Sequence, residues 1–94
     1  MSRFETGRQV VTRGVYDKGM EDSDFLAFVN RSFHRYSSGD WGEMCEEDKA
    51  QNEQASIDGE RLMGSYENKE RGWKIWIITE WDRSVTTILF PDEY

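Results

Sequence analysis

Cysteine and proline each occur once in this chain of 94 residues, and long apolar runs are missing. A single cysteine, Cys45, excludes an intramolecular disulfide, whereas small domains of oxidising compartments usually contain several. The longest apolar run, residues 75–78, is far shorter than the roughly 20 residues that span a bilayer, and the first residues contain no apolar signal core. We therefore predict a cytoplasmic protein that is neither secreted nor inserted in a membrane.

The residues that catalysis and metal binding need are also scarce. Cys45 and the only histidine, His34, fall on different predicted helices, so nothing in their spacing indicates a nucleophile with its base. We interpret His34 as a surface or helix-end residue and Cys45 as a small packing residue. The acidic run 46–48 points in several directions around a helix, and the glycines that flank Asp40 and Trp41 lack the pattern of a phosphate loop. The sequence therefore predicts no catalytic residue, no metal site, no cofactor and no enzymatic activity.

Charge is abundant and uneven. The net charge is −7, and residues 17–60 contain twelve acidic and four basic side chains, a local balance of −8. Residues 1–16 contain three Arg and one Glu, and residues 61–94 contain five basic and six acidic side chains. Such a field repels nucleic-acid phosphates and attracts basic protein surfaces. The alternative is a solvated helical face that only keeps the protein in solution.

The first half of the chain predicts one strand and two helices. Residues 9–12 contain paired β-branched valines and read as a strand. Apolar residues recur at helical spacing from an N-cap at Asp22 or Ser23 to Tyr36, which predicts the first helix. A second helix is predicted over residues 45–57, with few apolar positions and therefore mostly in water, and Gly59 is its expected C-cap.

The second half predicts an antiparallel meander with strands at residues 61–67, 73–81 and 84–90 and a tight turn at Asp82 and Arg83. Alternation along the middle strand places Trp73 and Trp81 on one face, where we expect them in the core, and Trp76 on the other. The prediction is a single α+β domain over residues 1–94, with an antiparallel sheet of three to four strands and two helices. Because the first and last strands are expected at the sheet edges, the sequence is compatible with a homodimer.

Two polar segments and one aromatic residue are the candidate binding residues. The first segment contributes Asp40, Trp41, Glu43, Glu46, Glu47 and Asp48, the second contributes Asp82 and Arg83, and the aromatic residue is Trp76. Each segment also has a structural interpretation, because Asp40 suits a helix cap or an Asx-turn, Asp82 suits a hairpin, and Arg83 suits an ion pair with a nearby acid. Trp76 is the aromatic residue that we expect at an interface.

Several motifs resemble a family of short plasmid-related proteins encoded on bacterial plasmids, conjugative elements and prophages. The motifs are Gly39-Asp40-Trp41-Gly42, Glu47-Asp48, Asn52, Ile77-Ile78-Thr79-Glu80, Asp82-Arg83-Ser84, Thr86-Thr87 and Leu89-Phe90-Pro91-Asp92-Glu93-Tyr94. The resemblance runs from Phe4 to the end of the chain. It implies a setting on mobile elements but no established activity, so it assigns no functional residue.

That setting, combined with the charge, leads to three functional expectations. The first is a non-enzymatic inhibitor, of anti-CRISPR or antirestriction type, that occupies a basic nucleic-acid-binding surface of a CRISPR effector or restriction enzyme without binding nucleic acid itself. The second is an accessory protein of plasmid maintenance or transfer that binds an element-encoded partner through Trp76 and a strand edge. The third is an uncharacterised enzyme, which would require the loops of Asp40 and Asp82 to converge in a pocket.

Overall fold

Three helices and a four-stranded mixed sheet make up the α+β fold, which the computed structural model describes over residues 3–94. In chain order the elements are β1 (Arg8–Val11), α1 (Arg13–Glu21), α2 (Ser23–Ser37), α3 (Glu46–Asp58), β2 (Leu62–Asn68), β3 (Trp73–Thr79) and β4 (Val85–Leu89). A single 3-10 turn, Pro91–Glu93, follows β4. The α+β class and the C-terminal meander are confirmed, whereas the helix count and the all-antiparallel sheet need correction.

The sheet has the strand order β1-β4-β3-β2. The meander pairs β2 with β3 and β3 with β4 in antiparallel fashion, but β1 runs parallel to β4. The expectation that the last strand lies at an edge is therefore wrong, and the two edges are β1 and β2. Local patterns predicted the strands but not this pairing, because β1 and β4 are separated by most of the chain and their contact is purely tertiary.

The sequence interpretation missed α1. Two glycines, Gly14 and Gly19, lie inside this nine-residue helix and lower its intrinsic propensity. The helix is stabilised by its packing against α2 and β4, which buries Val15, rather than by intrinsic helix propensity. Asp22 then ends α1 and caps α2, since its side chain accepts hydrogen bonds from the backbone N–H groups of Asp24 and Phe25 at 3.0 and 3.2 Å. The predicted N-cap of the long helix is thus confirmed.

The core lies between the helices and one face of the sheet. Trp73, Ile75, Ile77 and Thr79 alternate along β3 and are all buried on that face. Trp81 is 68% exposed, so its assignment to the core is wrong. The reason is that β3 ends at Thr79, after which the alternation of strand faces no longer applies.

The opposite face of the sheet has a lighter cover. Trp76 is half-buried and contacts the ring of Tyr94 edge-on, with 5.8 Å between the ring centroids. The 3-10 turn packs against β3, and Ile78 and Leu89 are buried. The C-terminal residues thus provide the small covering element that the apolar alternation of β3 requires. No helix in the described part of the chain is both long and apolar enough to cross a bilayer.

Candidate functional site

The first candidate segment begins where α2 ends. Gly39 has a φ of 93°, and its N–H donates to the carbonyl of Tyr36 at 3.0 Å, while the N–H of Asp40 donates to that of Arg35 at 2.8 Å. This pair of bonds is a Schellman motif, which requires a left-handed residue and therefore favours glycine. The motif turns the chain away from α2 and directs residues 40–43 toward the sheet.

Asp40 is engaged by its immediate surroundings. Arg35 donates to its carboxylate from Nε at 2.8 Å and from Nη2 at 3.3 Å, and the N–H of Gly42 donates at 3.0 Å, completing an Asx-turn. The hydrogen bond from Arg35 is the main reason that the pKa of Asp40 lies below its ordinary value. Arg35 also reaches Glu43 at 3.4 Å and lies over the ring of Tyr66. This geometry matches the structural interpretation of Asp40.

Gly42 brings the segment against the outer edge of β2. Ser65 donates its N–H to the carbonyl of Trp41 at 3.1 Å and accepts the N–H of Glu43 at 2.7 Å. Gly42 has a φ of 84°, and a Cβ there would collide with the carbonyl oxygen of Ser65. A glycine is needed at this position because two backbones meet without room for a side chain.

Trp41 lies in the core and is only 3% exposed. Its ring stacks with Phe4 and meets Tyr36 edge-on, and its Nε1–H donates to Glu53 at 3.0 Å. Glu53 also accepts from Arg3, which lowers the pKa of the carboxyl. The selection of Trp41 as a surface binding residue is therefore wrong. The indole has a single polar group, its N–H, and one hydrogen bond satisfies that group when the ring is buried in the core.

Asn52 is a structural residue whose position the sequence interpretation did not assign. It is buried on α3, where its amide donates to the carbonyl of Met63 and its oxygen accepts the N–H of Met63 at 3.1 Å. Asn52 lies three residues before Ala55, the other buried residue of α3. This helical spacing is the sequence signal that could have indicated that Asn52 is buried. The outward N–H and C=O of Met63 are bonded to Asn52, and those of Ser65 are bonded to Trp41 and Glu43. This stretch of the β2 edge therefore has no free backbone group for another strand.

The second candidate segment forms the turn between β3 and β4. Asp82 accepts hydrogen bonds from the Oγ and N–H of Ser84 at 2.6 and 3.1 Å, which lowers the pKa of its carboxyl. Arg83 has a φ of 61° and donates to four backbone carbonyls, including those of Ala55 and Glu60 at the end of α3. The expected ion pair of Arg83 is thus replaced by carbonyl contacts, which place a cation at the negative end of the helix macrodipole.

The carboxylates of the two segments are held by different neighbours, Arg35 at Asp40 and Ser84 at Asp82. The cleft beside Asp40 is lined by residues 39–41 and by α3, and Asp82 is not part of it. Within residues 3–94, no group of His, Cys, Asp and Glu side chains has the proximity that a metal ion requires. Cys45 is exposed just before α3, so its assignment as a packing residue is wrong, while His34 is exposed as predicted.

The remaining acidic candidates, Glu46, Glu47 and Asp48, lie in the first turn of α3 and are part of what we call the acidic face. We use this name for the exposed carboxylates Glu46, Glu47, Asp48, Asp58 and Glu60. Only Asn52 and Ala55 of the helix are buried, so the prediction of a largely solvated helix is confirmed. Three of the carboxylates occupy the first turn, where the macrodipole favours them.

Most carboxylates of the acidic face take part in no ion pair within the described residues, whereas several acidic groups elsewhere in the fold do. Arg71 pairs with Asp22 and Asp24, Arg35 pairs with Asp40 and Glu43, and further pairs are Arg3–Glu53, Arg13–Asp17 and Arg61–Glu80. On the acidic face, within residues 3–94, only Glu46 forms an ion pair, with Lys49 at 3.7 Å. The acidic face therefore brings four carboxylates that lack an ion pair in the described chain together on one helix and the two residues that follow it.

Comparison of the chain with family models, with curated proteins and with solved structures finds no match.

Proposed function

We propose that the protein acts by binding, and that its acidic face occupies a basic nucleic-acid-binding surface of a host defence complex such as a CRISPR effector or a restriction enzyme. The observation that carries the proposal is the group of exposed carboxylates on and just after α3, most of which have no ion-pair partner in the part of the chain that the structure describes. Unpaired charges attract a basic surface at long range and lose no internal ion pair on binding. The resemblance to plasmid-related proteins supports the choice of a defence complex as partner.

The geometry of α3 supports this proposal further. The helix is anchored to the sheet through Asn52 and through Arg83, which binds carbonyls at its far end. The carboxylates therefore project from a fixed scaffold rather than from a mobile tail, which reduces the entropy lost on binding. A rigidly held cluster of negative charges is suited to a groove that normally holds a phosphate backbone.

Neutralising the first turn of α3 tests the proposal. The triple variant Glu46→Gln, Glu47→Gln, Asp48→Asn should lose most of its capture of purified CRISPR effectors or restriction enzymes at low salt. The matched control Glu67→Gln, Glu70→Gln, Asp92→Asn changes the net charge equally at sites away from α3, and it should retain capture. Because the first-turn acids favour the helix dipole by about 0.3–1 kcal/mol each, the thermal midpoint of the triple variant should fall, and capture is compared at a temperature at which both variants are folded.

Affinity capture with immobilised protein, combined with nuclease assays of the captured enzymes, gives the readout. Capture that weakens steeply with salt for the wild type agrees with an electrostatic interface. If both triple variants bind equally well, the acidic face is not the interface and the proposal fails.

A second candidate function rests on Trp76 and Tyr94. Their rings form an aromatic pair on the lightly covered face of the sheet, and Tyr94 is 68% exposed. An accessory protein of plasmid maintenance or transfer would use this pair for a largely apolar contact. Trp76→Ala should then abolish co-purification with replication or transfer proteins in a manner insensitive to salt, while the acidic-face variant should have no effect.

A further inference from the structure

We propose that the free edge of β1 and the apolar groove beside it bind a second copy of this chain, so that two sheets join into one of eight strands. The groove lies between β1, α1 and α2. We call the edge and the groove together the β1 surface; the groove's exposed apolar side chains are Val11, Tyr16, Met20 and Leu26.

The backbone of β1 is available for pairing on its outer side. In the parallel pair with β4, the N–H of Arg8 donates to Ser84 and the N–H of Thr12 donates to Ile88, each at 3.0 Å. Because alternate residues of a strand direct their backbone groups to opposite sides, Gln9 and Val11 present theirs outward. These groups are placed to continue the sheet with another strand.

The contrast with the other edge of the sheet is informative. At the β2 edge, the outward groups of Met63 are bonded to Asn52, and those of Ser65 are bonded to residues 41–43. The fold thus covers one edge with its own polar groups. At β1 no comparable cover exists within residues 3–94, and instead the edge is flanked by an apolar groove of about 140 Å³.

Exposed apolar side chains concentrate at this surface. Of the seven large hydrophobic residues that the described chain leaves exposed, four belong to the β1 surface, and Met20 is 71% and Tyr16 57% exposed. Exposed apolar side chains that cluster in this way often mark an interaction site, whereas single ones scattered over a surface are normal. A stable interface buries about 800 Å² per partner and has an apolar centre with a polar rim. In the proposed dimer the four apolar side chains form the centre of the interface, and the neighbouring residues of β1 and α1 form its rim.

Charge indicates that the partner is a second copy. The chain as a whole is strongly negative and repels its own copies, but residues 8–21 contain three basic side chains and two acidic ones. The outward positions of α1 carry Arg13, Asp17 and Glu21 in that order. Arg13 pairs with Asp17 within its own copy at 3.7 Å. A two-fold axis that pairs β1 with its copy also reverses the direction of the second α1, from which we infer that the basic start of one α1 lies toward the acidic end of the other.

The proposed dimer is independent of the function proposed for the acidic face. The sheet order places β1 and β2 at opposite edges, and α3 packs against β2. Dimerisation through β1 therefore leaves both acidic faces exposed, at the two ends of the joined sheet.

Sedimentation of the full chain over a wide concentration range, with three variants, tests the proposal. The wild type should change from monomer to dimer as its concentration rises. Gln9→Pro removes an outward N–H from an edge strand, where proline is tolerated, and should raise the dimer dissociation constant at least about tenfold. Met20→Lys should do the same by placing a charge in the apolar groove.

Ile57→Lys is the matched control, because Ile57 is 76% exposed on α3, remote from β1, and its variant should dimerise like the wild type. Circular dichroism and the thermal midpoint verify that each variant is folded, and Met20 is too exposed for its replacement to unfold the chain. A wild type that stays monomeric at every concentration, which would leave the surface to another protein, overturns the proposal. A dimer that Gln9→Pro and Met20→Lys both leave intact overturns it equally.

Discussion

Asp40 illustrates how single residues of the connector between α2 and α3 are used. Its carboxylate binds Arg35 and the N–H of Gly42, and its carbonyl accepts the hydroxyl of Tyr66 at 2.7 Å. These contacts join the end of α2 to the turn and to β2. The two side-chain partners, Arg35 and Gly42, explain why a short acidic residue follows Gly39. This structural role accounts for Asp40 without a bound ligand.

Asp40→Asn should separate the charge of Asp40 from its turn geometry. The amide oxygen still accepts the N–H of Gly42, but the charge-assisted bond to Arg35 is lost. Since Asp40 is about half exposed, the wild type should be more stable at neutral pH by less than about 1 kcal/mol. The folded-state pKa of Asp40 is depressed, so this advantage exists above the unfolded value of 3.8 and disappears as the pH falls through the folded value.

Urea denaturation of both proteins from neutral pH down to strongly acidic pH measures the effect, because the folded-state pKa of Asp40 lies below 3.8. The two unfolding free energies should converge at the acid end. A difference that stays constant with pH would show that the charge of Asp40 does not contribute.

At the scale of elements, β3 shows where a strand pattern stops being informative. Trp73 contacts Phe25 and Phe28 with centroid distances of 5.3 and 5.6 Å, and Arg71 covers its ring at 4.4 Å. Trp81 has the same parity along the sequence but follows the end of the strand. The turn at residues 80–84 is longer than the tight turn that the sequence predicted, since Glu80 and Arg83 make its closing bonds.

Two alanine substitutions distinguish these tryptophans. Trp73→Ala should lower the free energy of unfolding by about 3–5 kcal/mol because it leaves a cavity in the core. Trp81→Ala should change it by no more than about 0.5 kcal/mol because the side chain is exposed. Denaturant midpoints of the two variants provide the comparison, and equal losses would contradict the assignment of Trp81 to the surface.

At the scale of the whole molecule, a chain of buried hydroxyls links distant parts of the sequence. The hydroxyl of Tyr36 lies 2.6 Å from that of Thr79, which lies 2.7 Å from that of Thr86, and Thr86 donates to the carbonyl of Thr6 at 2.6 Å. Burial raises the pKa of Tyr36 to about 12. This series of hydrogen bonds joins α2, the two central strands β3 and β4, and the N-terminal segment inside the core.

A double-mutant cycle on Tyr36→Phe and Thr79→Val tests this link. Each single change leaves the other hydroxyl short of a buried partner and should cost about 1–3 kcal/mol. The double change removes both groups, so its cost should be smaller than the sum of the two single costs. Chemical denaturation of the four proteins gives the coupling free energy, and strictly additive costs would show that the two hydroxyls act independently.

The sequence by itself determined the elements whose signals are local. The apolar spacing from Phe25 to Tyr36, the cap at Asp22, the glycine at the end of α3 and the alternation along β3 each depend on neighbours within a few residues. Of the candidate site, the exposure of the acidic residues of α3 followed from the scarcity of apolar residues in that helix. Local propensity and periodicity are sufficient for such features.

Only the tertiary structure decided the features that depend on distant partners. The helix α1 forms despite Gly14 and Gly19 because α2 and the sheet bury Val15, and β1 pairs in parallel with β4, from which most of the chain separates it. Trp41 is buried because its ring stacks with Phe4, which precedes it in the sequence, and its Nε1–H donates to Glu53, which follows it. Such contacts depend on how separate segments pack, and no local pattern in one segment encodes where the other will lie.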